Sequence, residues 1–439
     1  MIFHIDPVDE HKHDEKGNHI RMNNLSKMEG HGSLDIKIKD KKVVYVKLGI
    51  TESKRFYTQA IRGKFALSLP LMTSRICGTC SIAHLTACAE AVEKALDYKP
   101  SDQTILLRNL SCNGMMIRDH ALHLFIFCLP DIYGKDSVLD FDKSQDELIQ
   151  KAFAIKSAGN NLSKVIAGRA IHATYAEVGK FSHVPEKEAV AKVVKELKSV
   201  RDYAIEFIEI FYNAEFKLER EVNFVSLVNK DYLFTGGDIQ DSGGTIIKRE
   251  KYFDYLNGVV IPYSQAMGYS YKGKEYMVGA LARMNLNKNS LTSTTKKDAQ
   301  KFISAFPSNN IYSNNLAQAI EILNCIDQSI ALLESNEFKE ETAEPLKIKA
   351  GDGVGLIEAP RGSLYYMLSI DKTGKVDYGT IVVPTSQNQI SMEKSVGRVV
   401  EENINKSKEA IEYEIEKLIR AYDPCMSCAS HFLKIKWKT

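Results

Sequence analysis

Two Cys-x-x-Cys pairs are the residues of this chain best suited to bind a metal. Cys77 and Cys80 form one pair, and Cys425 and Cys428 form the other, near the opposite end of the sequence. At the start of a helix this spacing places both sulfurs on one side, where free backbone N–H groups favour the thiolate form. Four thiolates are soft ligands for zinc, for an iron–sulfur cluster or for nickel.

The separation of the two pairs leaves two interpretations open. Structural zinc is a common use of such pairs, but zinc ribbons usually hold both pairs within a short module. Here about 350 residues separate them, which suits a centre buried between the two ends of the chain. A redox disulfide would need only one pair. Spacing alone does not decide between structural zinc and a catalytic metal.

The residues around the cysteines resemble those of a known family. The first pair lies in Arg75–His84 (RICGTCSIAH) and the second in Asp423–His431 (DPCMSCASH). Together these motifs resemble the large subunits of nickel–iron hydrogenases, most closely the cytoplasmic, cofactor-coupled group. Further segments similar to that family follow in the expected order: Met28–Gly32, Asp119–Leu124, Gly168–His172, Gly279–Asn285, Ala359–Gly362 and Val383–Thr385.

The resemblance implies a nickel–iron centre in a catalytic subunit that splits or forms dihydrogen heterolytically. Cys77 and Cys425 would be terminal nickel ligands, and Cys80 and Cys428 would bridge nickel to an iron that also carries carbon monoxide and cyanide. The related subunit of respiratory complex I lacks these cysteines, so the presence of all four argues against a coupling role. A hydrogen sensor and a zinc-stabilised, non-catalytic relative are the alternatives.

Two side chains are expected to move protons. The family pattern makes Cys425 the first proton acceptor, and Glu29 would carry the proton outward. A carboxyl group near a metal site can be tuned to exchange protons near neutral pH. Without the motif around it, Glu29 would be interpreted as a surface or helix-capping residue.

Five further residues are expected to shape the centre. By resemblance, Arg361 would lie over the open metal position, fixed by Pro360, with Asp119 and Asp423 holding its guanidinium. Arginine suits that place because it stays protonated and offers a rigid fork of donors. Thr385 would donate a hydrogen bond to one cyanide. From the residues alone, Arg361 would be a turn residue and Thr385 the end of a strand.

The histidines fall into two groups. His84, one helical turn past Cys80, would bond near the bridging sulfur and so orient a metal ligand. His120, His123 and His172 are candidates for either a supporting role or the core, and we expect His123 to be a core residue.

The sequence departs from the family at two places. Thr58 occupies the position where the family has a glutamate for a buried magnesium or iron, a site that His431 would help to form. Glu52 is the nearby carboxylate that could substitute. Family precursors are cut after the final histidine, whereas residues 432–439 follow it here. The chain is therefore either a precursor with a maturation tail or a protein that matures without cutting.

The expected electron-transfer partners are inferred from the motifs that do not stand out in this sequence. The remaining cysteines have no pairing pattern and are expected to be small buried residues: Cys88, Cys112, Cys128 and Cys325. No glycine-rich dinucleotide motif stands out. We therefore expect electrons to leave through an iron–sulfur small subunit, followed by further electron-transfer subunits. A maturation protease and nickel chaperones are expected as additional partners.

The elements that must position these residues are mainly helical. Periodicity predicts helices at Ser81–Asp97, Thr104–Leu129 (ended by Pro130), Glu186–Glu215 and Ser395–Tyr422. Alternation and turn residues predict β-hairpins at Leu34–Val46 and Tyr365–Val383. Because no repeat or linker stands out, we predict one α+β domain over residues 1–439, with a central bundle of long helices and peripheral hairpins.

Composition narrows the class of protein. The chain has 58 Lys and Arg against 56 Asp and Glu, so no basic surface points to nucleic acid. No apolar run approaches the ~20 residues of a membrane span, and the charged N-terminus does not resemble a signal peptide. We therefore expect a cytoplasmic protein without a transmembrane segment.

Overall fold

α-Helices are the most abundant regular elements of the structure. The computed structural model describes residues 3–4, 18–53 and 56–430. The α-helices in these ranges are α1 (Tyr57–Ala60), α2 (Leu69–Thr73), α3 (Ser81–Ala95), α4 (Asp102–Ala121), α5 (Leu129–Ile132), α6 (Asp146–Ala167), α7 (Lys187–Tyr212), α8 (Ala280–Asn287), α9 (Ser293–Asp298), α10 (Gln300–Ile303), α11 (Ser313–Ser335), α12 (Pro384–Glu402), α13 (Lys408–Ala421) and α14 (Met426–Ala429). A π-helical segment, Leu122–Cys128, joins α4 to α5.

The long helices form the predicted central bundle. α4 packs against α6 and α11, and α11 also packs against α7. By length and composition α11 could cross a membrane, but 83% of its most apolar window is buried inside the protein. It is the core helix of the bundle and is buried on nearly every face, polar side chains included.

Four small sheets surround the bundle. Their strands are β1 (Phe3–His4), β2 (Asn18–Met22), β3 (Gly32–Lys39), β4 (Lys42–Ile50), β5 (Asn223–Val228), β6 (Asp238–Asp241), β7 (Ile246–Ile247), β8 (Leu256–Val260), β9 (Met267–Tyr271), β10 (Tyr276–Met277), β11 (Gly351–Ala359), β12 (Gly362–Ile370) and β13 (Val376–Val382). The strand orders are β2-β3-β4, β1-β8-β9, β10-β5-β6-β7 and β11-β12-β13. The predicted α+β architecture is confirmed, whereas the single-domain assignment for residues 1–439 stays a prediction.

The structure confirms both predicted hairpins and corrects two helix predictions. The hairpins are β3-β4 and β12-β13, and β11 extends the second one to three strands. The prediction that Pro130 ends a helix was wrong, because Pro130 lies in the first turn of α5, where its missing N–H is not needed. The predicted helix Ser395–Tyr422 is two helices, since α12 ends at Glu402 and Ser407 caps α13.

A close contact between α3 and β11 sets the position of the first cysteine pair. Glycines alternate along β11 at Gly351, Gly353 and Gly355, and all three face α3. A Cβ atom at Gly355 would overlap the backbone oxygen of Ala87. Only glycine permits this approach, so the strand lies directly on the helix that begins beside Cys80.

Candidate metal centre

The first cysteine pair lies where a short turn enters α3. Cys77 has an extended backbone (φ −148°, ψ 142°), and Cys80 is the N-cap residue of α3. Arg118 of α4 donates to the backbone oxygens of Thr79 and Ala170, which anchors the loop between the cysteines. The first pair is therefore held by the helix bundle.

The second pair lies where α13 ends. Asp423 adopts a left-handed conformation (φ 51°), which aspartate tolerates better than most residues and which turns the chain sharply. Cys425 then caps the short helix α14, which carries Cys428. The backbone N–H of Met426 donates to the backbone oxygen of Glu29 at 3.0 Å, so the N-terminal segment and the second cysteine pair meet at this point.

The four thiols form one compact group. All four sulfurs lie within 4.8 Å of one another and are buried. Across the two pairs, Cys77 Sγ lies 3.4 Å from Cys425 Sγ and Cys80 Sγ lies 3.1 Å from Cys428 Sγ. The structure thus brings together all four cysteines predicted to bind the metal.

The electrostatics of this thiol cluster fit a bound cation. Burial raises the pKa of Cys425 and Cys428 well above their usual values, whereas hydrogen bonds with Cys425 and Cys428 hold the pKa of Cys77 well below its usual value. The four thiols therefore do not all ionise by themselves. A soft metal ion would make all of them thiolates, because coordination deprotonates a thiol outright.

Arg361 lies beside the thiol cluster and is held from two sides. Its Nη1 is 3.0 Å from Asp119 Oδ2, and its Nη2 is 3.0 Å from Asp423 Oδ1. Burial would lower the pKa of Arg361, but these carboxylates and the thiols of Cys425 and Cys80 raise it well above its usual value. Its Nε is buried without a hydrogen-bond partner among the described residues, so one donor of this guanidinium is not used.

A buried ionic network holds the loop that carries Arg361. Arg283 bonds Glu321 through two nitrogens at 2.7 Å each and Glu358 at 2.9 Å. The same guanidinium donates to the backbone oxygens of Ala359 and Pro360 at 3.0 Å each. Burial alone would raise the pKa of Glu321, but the Arg283 guanidinium lowers it to about 2. The segment around Arg283 resembles the family in sequence, but its role was not predicted.

Glu29 contacts the cluster directly. Its Oε2 accepts a hydrogen bond from Cys425 Sγ at 3.0 Å and another from the backbone N–H of Ser427 at 3.1 Å. The Thr385 hydroxyl oxygen accepts from the backbone N–H of Cys425 at 2.9 Å. A carboxylate in contact with a thiol is placed to receive its proton, so the geometry suits the role expected of Glu29.

His84 connects the cluster to a tyrosine that sequence reasoning missed. His84 Nε2 lies 3.5 Å from Cys428 Sγ, and Nδ1 lies 2.7 Å from the hydroxyl of Tyr366. The histidine and the tyrosine are 282 residues apart, so no local pattern could have linked them. Tyr366 orients the ring whose other nitrogen faces the sulfur.

The other three histidines occupy different surroundings. His120 Nε2 lies 2.9 Å from Glu321 Oε2, within the network that holds Arg283. His172 Nδ1 lies 3.1 Å from the backbone oxygen of Ser74, on the turn that leads into the first cysteine pair. His123 is buried, as expected for a core residue, but it also contacts Gln318, which bonds Asp423.

The predicted magnesium or iron site stays a prediction because His431 lies outside the described residues. Glu52 Oε2 contacts His31 Nδ1 at 2.9 Å, and this hydrogen bond lowers the pKa of Glu52. The Ser430 hydroxyl donates to the backbone oxygen of Ser53 at 3.2 Å. Ser430 is the last described residue, and Ser53 directly follows Glu52 in the sequence. Thr58 lies at the start of α1. Residues 432–439, the predicted tail, also lie outside the described residues.

The buried group of four thiols is a binding site for a soft metal ion, so this chain is a metalloprotein. The sequence pattern of the nickel-dependent hydrogenase family matches residues 58–167 and 256–431. The chain belongs to this family, and it is an oxidoreductase that acts on hydrogen.

Individual relatives agree with this assignment along most of the chain. It is 34% identical to the alpha chain of sulfhydrogenase 1 of Pyrococcus furiosus, covering 95% of this chain and 98% of that one. It is 28% identical to one component of the F420-non-reducing hydrogenase of Methanothermobacter thermautotrophicus, covering 94% of both. A solved NAD+-reducing [NiFe]-hydrogenase chain shares the fold, with a TM-score of 0.85 and 24% identity over 94% of this chain and 99% of that one.

Proposed function

We propose that this chain is the catalytic large subunit of a cytoplasmic nickel–iron hydrogenase and that the thiol cluster is where dihydrogen is split or formed. The observation that carries the proposal is the contact between Cys425 Sγ and Glu29 Oε2 at 3.0 Å, inside a cluster capped by Arg361. A purely structural zinc site has no need of either an adjacent proton acceptor or a buried guanidinium.

The four cysteines would hold the metals. Cys77, Cys80, Cys425 and Cys428 would together hold nickel and an iron that carries carbon monoxide and cyanide. All four sulfurs lie within 4.8 Å of one another, so they are placed to share one binuclear centre. When bound, the metals supply the Lewis acidity and the electron acceptor that cleavage of H2 requires.

Protons would move along side chains of this chain. The Cys425 sulfur takes the proton released from H2, and Glu29 Oε2, in contact with that sulfur, receives it next. In the direction of H2 formation the same two groups deliver the proton. The backbone N–H of Ser427 fixes the Glu29 carboxylate, so the transfer distance stays short.

Arg361 would fix the geometry around the reacting molecule. It is buried, fully charged and held by Asp119 and Asp423, so it places a positive charge beside the cluster without rearrangement during the reaction. Its free Nε–H and the hydroxyl of Thr385 are the donors available to ligands of the iron. Thr385 itself accepts from the Cys425 backbone, which leaves its hydroxyl proton to donate.

Electrons would leave through an iron–sulfur small subunit. In the described part of the chain, the four cysteines outside the cluster are buried and form no second metal-binding group. Four apolar side chains on the segments before and after the first pair are exposed, Phe65, Leu67, Leu71 and Ile171, and we propose that they form one apolar patch. Ile171 lies beside Gly78, and the segment that carries Leu71 leads into Cys77. We assign this apolar patch to the small subunit because docking there shortens the electron path.

An infrared spectrum with metal analysis tests the proposal. Anaerobically prepared enzyme should contain nickel and iron and show one carbonyl and two cyanide stretches. Cys425→Ser should lose the bands and H2 turnover, whereas Cys112→Ser, a change at a buried cysteine outside the cluster, should keep both. Zinc without nickel, or turnover retained in Cys425→Ser, would overturn the assignment.

A further inference from the structure

His123 lies in the one π-helical segment of the described chain. α4 continues into Leu122–Cys128 with π-helical geometry, and His123 is 2% exposed there. π-Helical insertions cost hydrogen-bond geometry and occur often at functional sites. Here the insertion places the His123 ring between α11 and the end of α13, next to the residue that holds Arg361.

The hydrogen bonds around His123 determine its protonation state. Gln318 Nε2 donates to Asp423 Oδ2 at 2.9 Å, and a carboxylate only accepts, so the orientation of the Gln318 amide is set. Gln318 therefore turns its oxygen toward His123 Nδ1, 2.6 Å away. His123 Nε2 lies 2.7 Å from the backbone oxygen of Arg420. Because each ring nitrogen faces an oxygen that can only accept, both nitrogens must carry protons.

The charges around the ring agree with a cation. Asp423 Oδ2 lies 3.9 Å from His123 Nδ1, and Cys128 Sγ lies 3.3 Å from Nε2. The side chain of Arg420 is turned away, toward Asp131 at 2.7 Å. Burial alone would lower the pKa of His123, but Asp423 and Cys128 raise it to about 10.

We propose that His123 is a permanently protonated, buried imidazolium that positions Asp423 through Gln318, and that Asp423 in turn holds Arg361 against the thiol cluster. Arg361 and His123 then balance the charges of Asp119 and Asp423. Each Asp423 oxygen has its own partner, Arg361 on one and Gln318 on the other. His123 is a positioning residue, and its effect on turnover rests on the function proposed above.

Nuclear magnetic resonance tests the protonation state without reference to turnover. In protein labelled with ¹⁵N on the histidine rings, the His123 signals are assigned by their loss in His123→Gln. At pH 8, both ring nitrogens of His123 should carry protons, whereas a free histidine side chain carries a single ring proton at that pH. A bare nitrogen on His123 at pH 8 would overturn the proposal whether or not the enzyme turns over H2.

Two variants test the positioning role in the metal-loaded enzyme. His123→Gln removes the charge and Gln318→Met removes the link, and each should lower H2 turnover about tenfold or more while shifting the carbonyl and cyanide bands. Asn113→Ala is the matched control, because Asn113 also joins α4 to α11, through Gln328 at 3.0 Å, but far along the helix from Asp423. Asn113→Ala should leave the carbonyl and cyanide bands at their wild-type positions. Wild-type bands and turnover in both test variants would refute the positioning role. If neither variant folds, the ¹⁵N measurement on the wild-type protein still tests whether the His123 ring carries two protons.

Discussion

At the scale of single residues, Arg361 illustrates why the type of side chain matters as much as its charge. Two carboxylates engage two different nitrogens of the guanidinium, and a third nitrogen has no partner among the described residues. A lysine could carry the charge but could not hold both carboxylates in this geometry and still present a third, fixed donor, because its ammonium is a single flexible point.

Arg361→Lys should therefore retain nickel and iron but lower H2 turnover by about 100-fold or more, the scale typical of losing one preorganised donor. Metal analysis and an assay with an artificial electron acceptor measure the two quantities separately. Arg398→Lys, at a surface pair with Glu402, is the control and should behave as wild type. Unchanged turnover in Arg361→Lys would remove this residue from the mechanism.

Glu29→Gln separates proton transfer from structure. The amide oxygen can still accept from Cys425 Sγ and from the Ser427 backbone, but the side chain can no longer take up a proton. We expect metal loading and infrared bands to persist while turnover falls about 100-fold. Glu29→Asp keeps a titratable group at a greater distance from Cys425 Sγ, so its turnover should lie between the turnover of wild type and that of Glu29→Gln. Full activity in Glu29→Gln would show that protons leave by another route.

How much of the site could be predicted depends on whether the signal was local. The cysteine pairs stand in short motifs, so their meeting in one cluster could be predicted from the sequence and from its resemblance to a family. The supporting contacts of Arg283, Gln318 and Tyr366 join distant parts of the chain. For example, the hydrogen bond between His123 and Gln318 joins residues that are 195 positions apart. No periodicity or spacing encodes such pairs, and only the fold reveals them.

At the scale of elements, the hairpins and most long helices followed from alternation, periodicity and turn residues. The helix α6 was missed, and the π-helical segment and the break between α12 and α13 were not foreseen. The segment Leu122–Cys128 (LHLFIFC) is apolar at nearly every position, so a change in helical phase within it leaves no visible mark on the sequence pattern. The break before α13 carries a Ser407 cap, which is a weak signal on its own.

Gly355→Ala tests the contact between β11 and α3. The new methyl group would overlap the Ala87 oxygen, so strand and helix must separate. We expect a loss of about 1–3 kcal/mol in unfolding free energy and reduced metal loading, because α3 begins beside Cys80. Gly397→Ala in α12, whose Cβ would make only ordinary contacts, should not destabilise the protein. Normal loading in Gly355→Ala would show that the contact does not position the cysteines.

Glu393 gives α12 a pH-dependent effect on stability. Its Oε1 accepts from the Leu48 backbone at 2.9 Å and from the Tyr263 hydroxyl at 2.7 Å, and burial raises its pKa to about 7. The folded state thus binds a proton more tightly than the unfolded state, and the stability this confers is lost as pH rises toward 7 and above. Glu393→Gln lacks this dependence, so denaturant unfolding should show the variant gaining about 1–2 kcal/mol relative to wild type between pH 5 and pH 8. A constant difference would contradict the raised pKa.

At the scale of the whole molecule, the cluster exists only because both ends of the chain meet around the bundle. The bridge between Glu29 and Cys425 joins the N-terminal segment to the last described helix. The proton acceptor Glu29 belongs to the N-terminal segment, whereas the residues of the proposed electron exit lie between Phe65 and Ile171, so the two use different parts of the chain. This separation allows protons and electrons to leave the centre by different routes.

Leu71→Asp tests whether the apolar patch binds the iron–sulfur partner. Leu71 is 51% exposed, so a charge there should leave folding and metal content intact while weakening a largely apolar interface. We expect the variant to lose both H2-dependent reduction of the physiological acceptor and co-purification of the small subunit. Leu139→Asp is the control, since Leu139 is 89% exposed but outside the apolar patch, and it should retain the partner. Retention in Leu71→Asp, or loss in both variants, would place the partner elsewhere on the surface.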